Sequence, residues 1–543
     1  MRRKKATRIV AMLLACIMLM SMMTGCGSKK ANGNDEKATK VTFPLEEQVT
    51  FSFMIEGTET ADFKDKISNN ALWKKLEEET NVHIDFVFLG DTPAEKLSLL
   101  VNSNSYGDVL MGGPIIGSSE ASKYMAAGLF ADLTDYISEE FMPNLYADIQ
   151  EDKQIMSSIT SYDGKVYTLP KITGIEGSFL ESPIWINKAW LDKLGLAIPT
   201  TLDEFTNCLR AFATKDPNGN GLPDEIPYLC ATSSDSMHLE ALMGIFGIAT
   251  KDGTNDSYVQ VIDGKVNYVP TMPAYKDAIN YLASLYKEGL IWQECFTANA
   301  SALNAKLTSQ TPVAGCYTSV RPASTPYEDD YVCILPPKAE GYETCWYYHY
   351  AVHGSKNQFF VMNTCENLSV LMAWMDKFYE FENALAFDYG FADEGRYEIG
   401  ADGKVTIYDL DDDAIEKAEK ENPTLSHILG NYVRSITASD YQNYVNPYED
   451  KITADNCYNL YKDVLNTELW PRPYFSVEDA YNADLYMTDI DYQTTLYRAS
   501  WITGKSNVNQ EFDSFVKKLE SLHLNEYIEI LQKSYDAAMA NVK

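Results

Sequence analysis

Strand-like and helix-like patterns alternate between residues 49 and 127, and this alternation constrains the fold more than any other feature. Apolar residues occupy every second position of Val82–Phe88, which is typical of a β-strand. Strands that alternate with helices predict an α/β fold in which helices cover both faces of a parallel sheet. The predicted strands are Phe51–Ile55, Val82–Phe88 and Gly107–Met111, and the predicted helices are Asn70–Thr80, Pro93–Asn102 and Ser118–Ala127.

The first 45 residues carry export signals. Five basic side chains within residues 2–8 precede an apolar run that is too short for a membrane-spanning helix of about 20 residues. Met23-Thr24-Gly25-Cys26 resembles the lipobox of bacterial lipoproteins, which implies cleavage before Cys26 and acylation of that residue, with palmitate as an expected chain. An ordinary signal peptide with an incidental cysteine is the alternative. We predict a signal peptide at 1–25, a flexible tether at 26–45 and a lipid anchor at the extracellular face of the cell membrane.

Charge and length limit the partners and the architecture. Residues 1–25 carry five basic and no acidic side chains, so their removal takes the formal net charge from −33 to −38. Such a charge argues strongly against nucleic acid or an anionic membrane surface as a binding partner. A chain of 543 residues also exceeds what one hydrophobic core normally serves, so two large lobes are predicted.

The cysteines do not form a disulfide framework. Eight of the ten are scattered between Cys208 and Cys457, far below the density of a disulfide-stabilised scaffold. We expect most of them to be small buried apolar residues, and the sequence leaves one or two disulfides open.

Several stretches of the chain resemble one family of proteins. Taken in order, they are similar to the extracellular solute-binding lipoproteins of bacterial ABC importers, in the branch associated with carbohydrate uptake. The resemblance implies two α/β lobes that close on a solute such as an oligosaccharide, an ABC permease as partner and a monomeric receptor. The stretches are YDGKVYTLP (162–170), IWINKAWLDKLGLAIPTTLDEF (184–205), DPNGNGLPDEIP (216–227) and WITG (501–504).

The two-lobe architecture implies hinge segments that cross between the lobes. We predict an N-terminal lobe made of residues 46–172 and 358–394. The C-terminal lobe is predicted to contain residues 184–345 and 397–543. Punctuated, irregular passages predict crossings around 171–183 and 345–357, and a third crossing is expected near 390–397.

A calcium loop is predicted in the C-terminal lobe. Counting Asp216 as position 1, side-chain oxygens fall at positions 1, 3, 5 and 9, a glycine at 6 and the Leu222 carbonyl at 7. Hard Ca²⁺ takes six to eight oxygen ligands, and alternation directs every second side chain to one centre. Position 12 is proline, which rules out a regular EF-hand, and the resembling family implies Glu225 as the bidentate carboxylate. Metal-free Asx-turns are the alternative. The predicted ligands are Asp216, Asn218, Asn220, Leu222, Asp224 and Glu225.

The solute is expected where strands end and the lobes meet. Ligands of parallel sheets bind beyond the carboxyl ends of the strands, and sugars stack on aromatic rings while carboxylates hold their hydroxyl groups. Each candidate has core packing as its alternative. The predicted ligand-binding residues are Glu56, Trp185, Tyr317, Trp346 and Tyr347.

The sequence favours a binding protein over an enzyme. It contains no G-x-S-x-G, H-E-x-x-H or phosphate-loop motif. A secreted carbohydrate-active hydrolase, which uses two carboxylates, stays open because 78 acidic residues make chance pairs certain. A sensory lipoprotein that presents solute to a membrane kinase is a further alternative.

Overall fold

The computed structural model of this chain describes residues 37–542, with gaps at 58, 113–114, 173–179, 235, 250–257, 321–322, 324, 350–352, 409, 411, 430–432, 435–443 and 446–456. The predicted signal peptide and Cys26 lie outside the described residues. Within the described part, no helix is both long enough and apolar enough to cross a membrane.

Helices and strands alternate through the first part of the chain, and long helices fill its end. The strands are β1 (Val49–Ile55), β2 (Val82–Phe88), β3 (Val109–Met111), β4 (Ile184–Asn187), β5 (Val259–Ile262), β6 (Lys265–Tyr268), β7 (Cys316–Thr318), β8 (Tyr331–Ile334), β9 (Phe359–Val361), β10 (Tyr397–Ile399), β11 (Val405–Ile407) and β12 (Tyr444–Val445). The helices are α1 (Ala61–Ser68), α2 (Ala71–Thr80), α3 (Pro93–Asn102), α4 (Ser118–Ala126), α5 (Pro143–Glu151), α6 (Ile155–Ile159), α7 (Lys188–Leu194), α8 (Leu202–Thr214), α9 (Pro273–Lys287), α10 (Ala300–Leu307), α11 (Leu368–Asp376), α12 (Phe381–Tyr389), α13 (Asp412–Glu421), α14 (Leu425–Leu429), α15 (Tyr458–Tyr461), α16 (Val477–Ile502), α17 (Val508–Glu520) and α18 (Leu524–Met539).

The first sheet confirms the fold class predicted from the alternating pattern. Its strand order is β2-β1-β3-β9, with β1 parallel to β2 and β3, and β9 antiparallel to β3. Phe53 and Ile55 belong to one cluster of buried side chains, and Met54 between them belongs to another. Both faces of the sheet are therefore covered, as a parallel α/β sheet requires.

A second sheet organises the other core. β4 is its central strand and pairs antiparallel with β7 and β8. Ile184 and Ile186 belong to the largest buried cluster, which also contains Met487 of α16 and Phe515 of α17. The two sheets thus have separate cores, in agreement with a two-lobe architecture.

The packing of the core corrects the predicted boundaries of the lobes and of the tether. Beyond the β10–β11 hairpin (397–407), Val433 still packs in the core of the first sheet, so the crossing predicted near 390–397 is wrong. Leu425 and Leu429 pack in the core of the first sheet, although residues 397–543 were predicted to build the C-terminal lobe alone. Phe43 and Leu45 also pack against that core, so the flexible tether predicted through residue 45 ends earlier.

One disulfide joins distant parts of the chain. Cys333 of β8 is bonded to Cys457, which directly precedes α15. Most of the other described cysteines are buried thiols, as predicted from their scattered positions.

Candidate functional site

Three stretches that connect the two cores contain described residues on both sides, and we call them the first (170–183), second (346–358) and third (464–474) hinge segments; residues 173–179 and 350–352 lie outside the described residues. The chain also passes from Val433 in the first core to Tyr461 in the second, and from Tyr474 back to the second core at Ala483. Each hinge segment has a side chain of one core near its start and a side chain of the other core near its end. These flanking core residues are Ile172 and Leu180, Trp346 and Phe359, and Leu465 and Tyr474.

The first and second hinge segments are paired through their backbones. The N–H of Lys171 donates to the Ser355 carbonyl and the N–H of Ser355 donates to the Lys171 carbonyl, each over 2.8 Å. Farther along, Leu180 pairs antiparallel with Tyr348. The described ends of the two segments are therefore paired antiparallel.

The third hinge segment pairs with the other edge of the second. The N–H of Trp346 donates to the Val464 carbonyl over 2.6 Å, and the N–H of Asn466 donates to the Trp346 carbonyl over 2.9 Å. The side-chain oxygen of Asn466 accepts a hydrogen bond of 2.6 Å from the N–H of Tyr348. The second segment thus lies between the other two. A change in its backbone torsions would therefore alter its hydrogen bonds to both neighbouring segments.

Polar side chains connect the hinge segments to the first sheet. The Tyr474 hydroxyl donates to Asn357 Oδ1 over 2.5 Å, and Asn357 Nδ2 donates to the hydroxyl of Ser118 over 3.2 Å. Lys356 Nζ lies 4.0 Å from the centre of the Tyr474 ring and donates to the Arg472 carbonyl. Ser118 is the first residue of α4, so this network reaches the helix that follows β3.

The carboxyl end of β3 in the first sheet lies against the second hinge segment. The N–H of Gly112, one residue after β3, donates to the Gln358 carbonyl of the second hinge segment over 3.1 Å. The ends of β1 and β2 are tied together by a 2.9 Å bond from the Gly90 N–H to the Gly57 carbonyl. Glu56 directly follows β1 and is exposed. The hinge and the ligand-binding edge of the sheet are therefore adjacent, as the rule for α/β sheets predicts.

Tyr347 occupies the second hinge segment and keeps part of its surface accessible. It is half-buried, and its ring centre lies 6.2 Å from that of His349 in an edge-to-face arrangement. Of the five predicted ligand-binding residues, Glu56 and Tyr347 are the two with accessible surface.

Trp346 is a core residue, which corrects its prediction as a sugar-stacking ring. Only 1% of the residue is exposed, and its indole N–H donates to the Glu181 carbonyl over 3.0 Å. One side of the ring packs against Tyr461, and a methyl group at Gly244 would come within 2.5 Å of the other. The indole thus joins the first and second hinge segments from inside the core.

Trp185 and Tyr317 are also enclosed. Trp185 is 4% exposed and its indole N–H donates to the Ser319 carbonyl over 2.9 Å. The Tyr317 hydroxyl accepts the backbone N–H of Ala323 over 3.1 Å, and its ring packs 4.9 Å from that of Tyr331. Both have the core packing that was their alternative interpretation.

The predicted calcium loop follows α8. This helix begins at a capping box formed by Thr201 and Glu204 and ends before Lys215. Both carboxylate oxygens of Asp216 accept backbone N–H groups, from Gly219 over 2.9 Å and from Gly221 over 3.1 Å. Gly219 and Gly221 have φ of 78° and 76°, which side chains with a Cβ rarely adopt.

The oxygen-bearing side chains of this loop converge. The amide groups of Asn218 and Asn220 point at the Asp224 carboxylate, with N···O distances of 3.0 to 3.2 Å. Their amide oxygens accept backbone N–H groups, Asn218 Oδ1 from Asn220 over 3.0 Å and Asn220 Oδ1 from Leu222 over 2.8 Å, which is the Asx-turn geometry of the alternative interpretation. The Lys193 ammonium fixes the start of the loop by donating to the Pro217 carbonyl over 2.6 Å.

Glu225 supplies the observation that fits a cation. Its Oε1 is buried and accepts no hydrogen bond. Burial raises the pKa of Glu225, and the negative charges of Asp224 and Asp216 raise it further. Three carboxylates in one loop, one of them with a buried oxygen that accepts no hydrogen bond, form a set that a hard cation would neutralise. Among the described residues, no three acidic, histidine or cysteine side chains are close enough to hold an ion by themselves, so the amides and the Leu222 carbonyl would have to share the coordination.

A buried charge cluster supports the end of the first hinge segment. The hydroxyl of Ser182, a residue with φ of 56°, lies 3.2 Å from His238 Nε2. His238 Nδ1 is 3.7 Å from the Glu240 carboxylate, which forms a 2.6 Å ion pair with Arg498 of α16. Burial alone would raise the pKa of Glu240, but the Arg498 guanidinium, His238 and a backbone hydrogen bond together outweigh burial and lower this pKa to about 2.

The third hinge segment carries a local signal for an irregular connection. Residues 470–474 read WPRPY, and the two prolines exclude a regular helix between α15 and α16. Tyr474, Lys356 and Asn357 were absent from the predicted site. The Glu240–Arg498 pair has no local signal, because 258 positions separate its members.

Comparison with known proteins agrees with this geometry. The sequence profile of the family described as bacterial extracellular solute-binding protein matches residues 58–358. The chain is 28% identical over 556 aligned positions to the fructooligosaccharide ABC transporter substrate-binding protein FusA of Streptococcus pneumoniae, covering 96% of this chain and 97% of FusA.

Solved structures share the fold. A solute-binding protein of Bifidobacterium longum infantis, described as associated with an ABC transporter and binding HMO, superposes with a TM-score of 0.73 at 24% identity, covering 90% of this chain and 99% of the other. An EF-hand mutant of S. pneumoniae FusA in complex with fructo-nystose superposes with a TM-score of 0.66 at 24% identity, covering 91% of this chain and 100% of the other.

Proposed function

Because this chain belongs to the bacterial extracellular solute-binding proteins, we propose that it captures an oligosaccharide between its two lobes and delivers the sugar to an ABC importer. The observation that carries the proposal is the set of three paired hinge segments beside the carboxyl ends of the first sheet. A relative that aligns along nearly the whole chain is described as a fructooligosaccharide-binding protein of such an importer, which supports the sugar as solute.

Capture requires the lobes to move about the hinge segments. A few backbone torsions in three neighbouring segments can change the angle between two rigid cores, which is the hinge closure seen in ligand-binding proteins of this architecture. Pairing of the segments restricts the motion to a common axis, because each hydrogen bond must be kept or replaced as the angle changes. Closure would bring surfaces of both lobes onto the solute and exclude water from it.

Glu56 and Tyr347 are proposed to contact the sugar. Glu56 is exposed at the end of β1, where its carboxylate can accept hydrogen bonds from hydroxyl groups. Tyr347 lies on the second hinge segment with part of its ring accessible, where it can stack on the C–H face of a pyranose or furanose ring. Both interactions are non-covalent, and the proposal includes no turnover.

The loop from Asp216 to Glu225 is proposed to hold one structural Ca²⁺. The ligands would be the side chains of Asp216, Asn218, Asn220, Asp224 and Glu225 and the carbonyl of Leu222. Bound calcium would neutralise the three carboxylates of the loop and fix its path between α8 and β-bridged Ile226. Support comes from the unpartnered Glu225 oxygen and from the description of an EF-hand in FusA.

Anchoring through Cys26 is proposed for the export signals. The protein is extracellular by its family, and the lipobox-like sequence supports a diacylated cysteine that holds it at the outer face of the membrane. A tether of polar residues after Cys26 would let the receptor reach its importer while it remains attached.

Titration calorimetry of variants tests the proposed site. Glu56→Gln and Tyr347→Ala are each expected to weaken binding of a recognised oligosaccharide about tenfold, since one lost contact of this kind is worth roughly 1 kcal/mol or more. Glu47→Gln and Tyr408→Ala are matched controls, because both residues are exposed outside the hinge. Equal affinity of all four variants and the wild type would place the solute elsewhere.

A further inference from the structure

Helix α16 has a second apolar face that no described element covers. One face is buried in the core of the second lobe through Ala483, Met487, Ile490 and Trp501. On the other side Tyr481 is 69% exposed, Leu485 55%, Tyr492 65% and Leu496 51%. We call these four residues the α16 stripe.

The four exposed residues form one continuous line. They are spaced by four, seven and four positions, which returns each side chain to nearly the same angle on a helix of 3.6 residues per turn. At 1.5 Å per residue the line is roughly 22 Å long. By the same helical geometry, the stripe is nearly opposite the face that contains Ile490.

The exposed apolar side chains are concentrated on α16. Among the described residues, five of the fourteen large exposed apolar side chains lie on this one helix, counting Val477 with the stripe. Single exposed apolar residues are ordinary, but an aligned group of this kind marks an interaction surface.

Charge identifies the kind of partner. The helix carries the acidic residues Glu478, Asp479, Asp484, Asp489 and Asp491, whereas its single basic residue is buried in an ion pair with Glu240. A second copy of this chain, with its formal net charge of −33, or an anionic lipid surface would bring like charges together at the stripe. A partner that complements the stripe must present apolar side chains flanked by lysine or arginine.

The position of α16 connects this surface to the hinge. The helix belongs to the core of the second lobe, and it also contacts α4, which begins at Ser118 of the hinge network. A rotation between the lobes would therefore change the surroundings of the stripe.

We infer that the α16 stripe is the surface through which this receptor docks on the extracellular face of its importer's permease subunits, using apolar contacts flanked by basic residues of the permease. The inference rests on the proposed function, because only an importer receptor has such a partner. Leucines at two of the four positions favour a protein over a glycan as occupant, since sugars stack on aromatic rings and not on branched aliphatic chains.

The test uses the full chain with the importer of its source organism, reconstituted with its ATPase subunits in proteoliposomes. The variant Tyr481→Gln/Leu485→Gln/Tyr492→Gln/Leu496→Gln removes the stripe with residues that maintain helix propensity. Receptor-stimulated ATP hydrolysis is expected to require at least tenfold more variant than wild type. The melting temperature and the oligosaccharide affinity of the receptor are expected to stay within experimental error.

Matched controls separate docking from general surface chemistry. Leu99→Gln, Tyr408→Gln, Ile415→Gln and Leu460→Gln remove four exposed apolar side chains from other helices and loops, and together they are expected to leave stimulation unchanged. Charge reversal at the flanks, Asp484→Lys/Asp489→Lys, is expected to weaken stimulation further as ionic strength falls.

Four results would overturn the inference. These are unchanged stimulation by the stripe variant, loss of its oligosaccharide affinity, a wild-type dimer that the variant converts to a monomer, and binding of the wild type to anionic vesicles that the variant lacks. Failure of the proposed function has a different signature, namely a wild type that binds no oligosaccharide in the calorimeter and stimulates no hydrolysis.

Discussion

Removing the charge of Glu240 should destabilise the protein strongly. Glu240→Gln preserves the shape of the side chain but leaves Arg498 without its ion-pair partner at 2.6 Å. The side chains of Glu240 and Arg498 are 2% and 7% exposed, so water cannot replace the lost charge.

The size of the expected loss of stability follows from the surroundings of the Arg498 guanidinium. Breaking a buried ion pair by removing one partner costs roughly 3–5 kcal/mol, because an uncompensated charge stays in a medium of low polarity. Asp491 still attracts Arg498 and the Tyr258 hydroxyl still accepts a hydrogen bond from it. We therefore expect the lower end of the range, about 3 kcal/mol, which is roughly a hundredfold change in the unfolding equilibrium.

Urea denaturation monitored by tryptophan fluorescence measures the effect. Glu240→Gln should lower the midpoint of the transition that reports on the second lobe, and Glu240→Gln/Arg498→Met should recover part of the loss because the unpaired charge is gone. Glu288→Gln, which breaks an exposed pair with Arg210, is the matched control and should leave the midpoint nearly unchanged.

The pH dependence of stability independently checks that the ionised Glu240 carboxylate stabilises the folded protein. Since the folded protein holds the pKa of Glu240 at about 2, below its ordinary value of 4.5, the stabilisation by this carboxylate is fully present above pH 4.5 and disappears as the pH falls toward 2. The difference in stability between wild type and Glu240→Gln should therefore shrink over that interval. A difference below about 1 kcal/mol at pH 7, or one that does not change with pH, would refute the reasoning.

Three further predictions concern the loop, the core and the anchor. Chelation of calcium should lower the melting temperature of the wild type but not of Asp216→Asn/Asp224→Asn, because a ligand at about 100 times its Kd stabilises the folded state by roughly 2.7 kcal/mol; equal melting curves with and without chelator would contradict the calcium site. Trp346→Ala should destabilise the fold by about 3–5 kcal/mol in urea denaturation, as a buried ring does, and a variant as stable as wild type would return Trp346 to the solute-binding surface. Cys26→Ser should move the protein from the membrane fraction to the medium, and membrane association without change would exclude the lipid anchor.

Elements with strong local patterns were predictable from the sequence. The strand Val82–Phe88 and the helix Pro93–Asn102 are found with the predicted bounds, since their apolar periodicity reflects which face is buried. The oxygen spacing from Asp216 is also a local pattern, and the corresponding turns are present.

Features that depend on distant contacts were not predictable in the same way. Trp346 lies in an irregular, aromatic-rich passage, which suits a ligand-binding ring and a core ring equally well. Its burial is decided by Gly244 and Tyr461, which are remote in sequence. The third crossing was predicted at 390–397, but Val433 still packs in the core of the first sheet, so the chain crosses later, before Tyr461 in the core of the second. These packing contacts are remote in sequence, so local composition could not locate the crossing.

The central claim is reversible capture of an oligosaccharide without turnover, and calorimetric titration of the wild type tests it most directly. The sugars to be titrated are fructooligosaccharides, with fructo-nystose among them, and a panel of other oligosaccharides. We predict saturable binding of one sugar per chain, with a negative heat-capacity change from buried ring faces and no heat flow after saturation. Absence of binding to every sugar, or continuous heat from cleavage of one of them, would contradict the account.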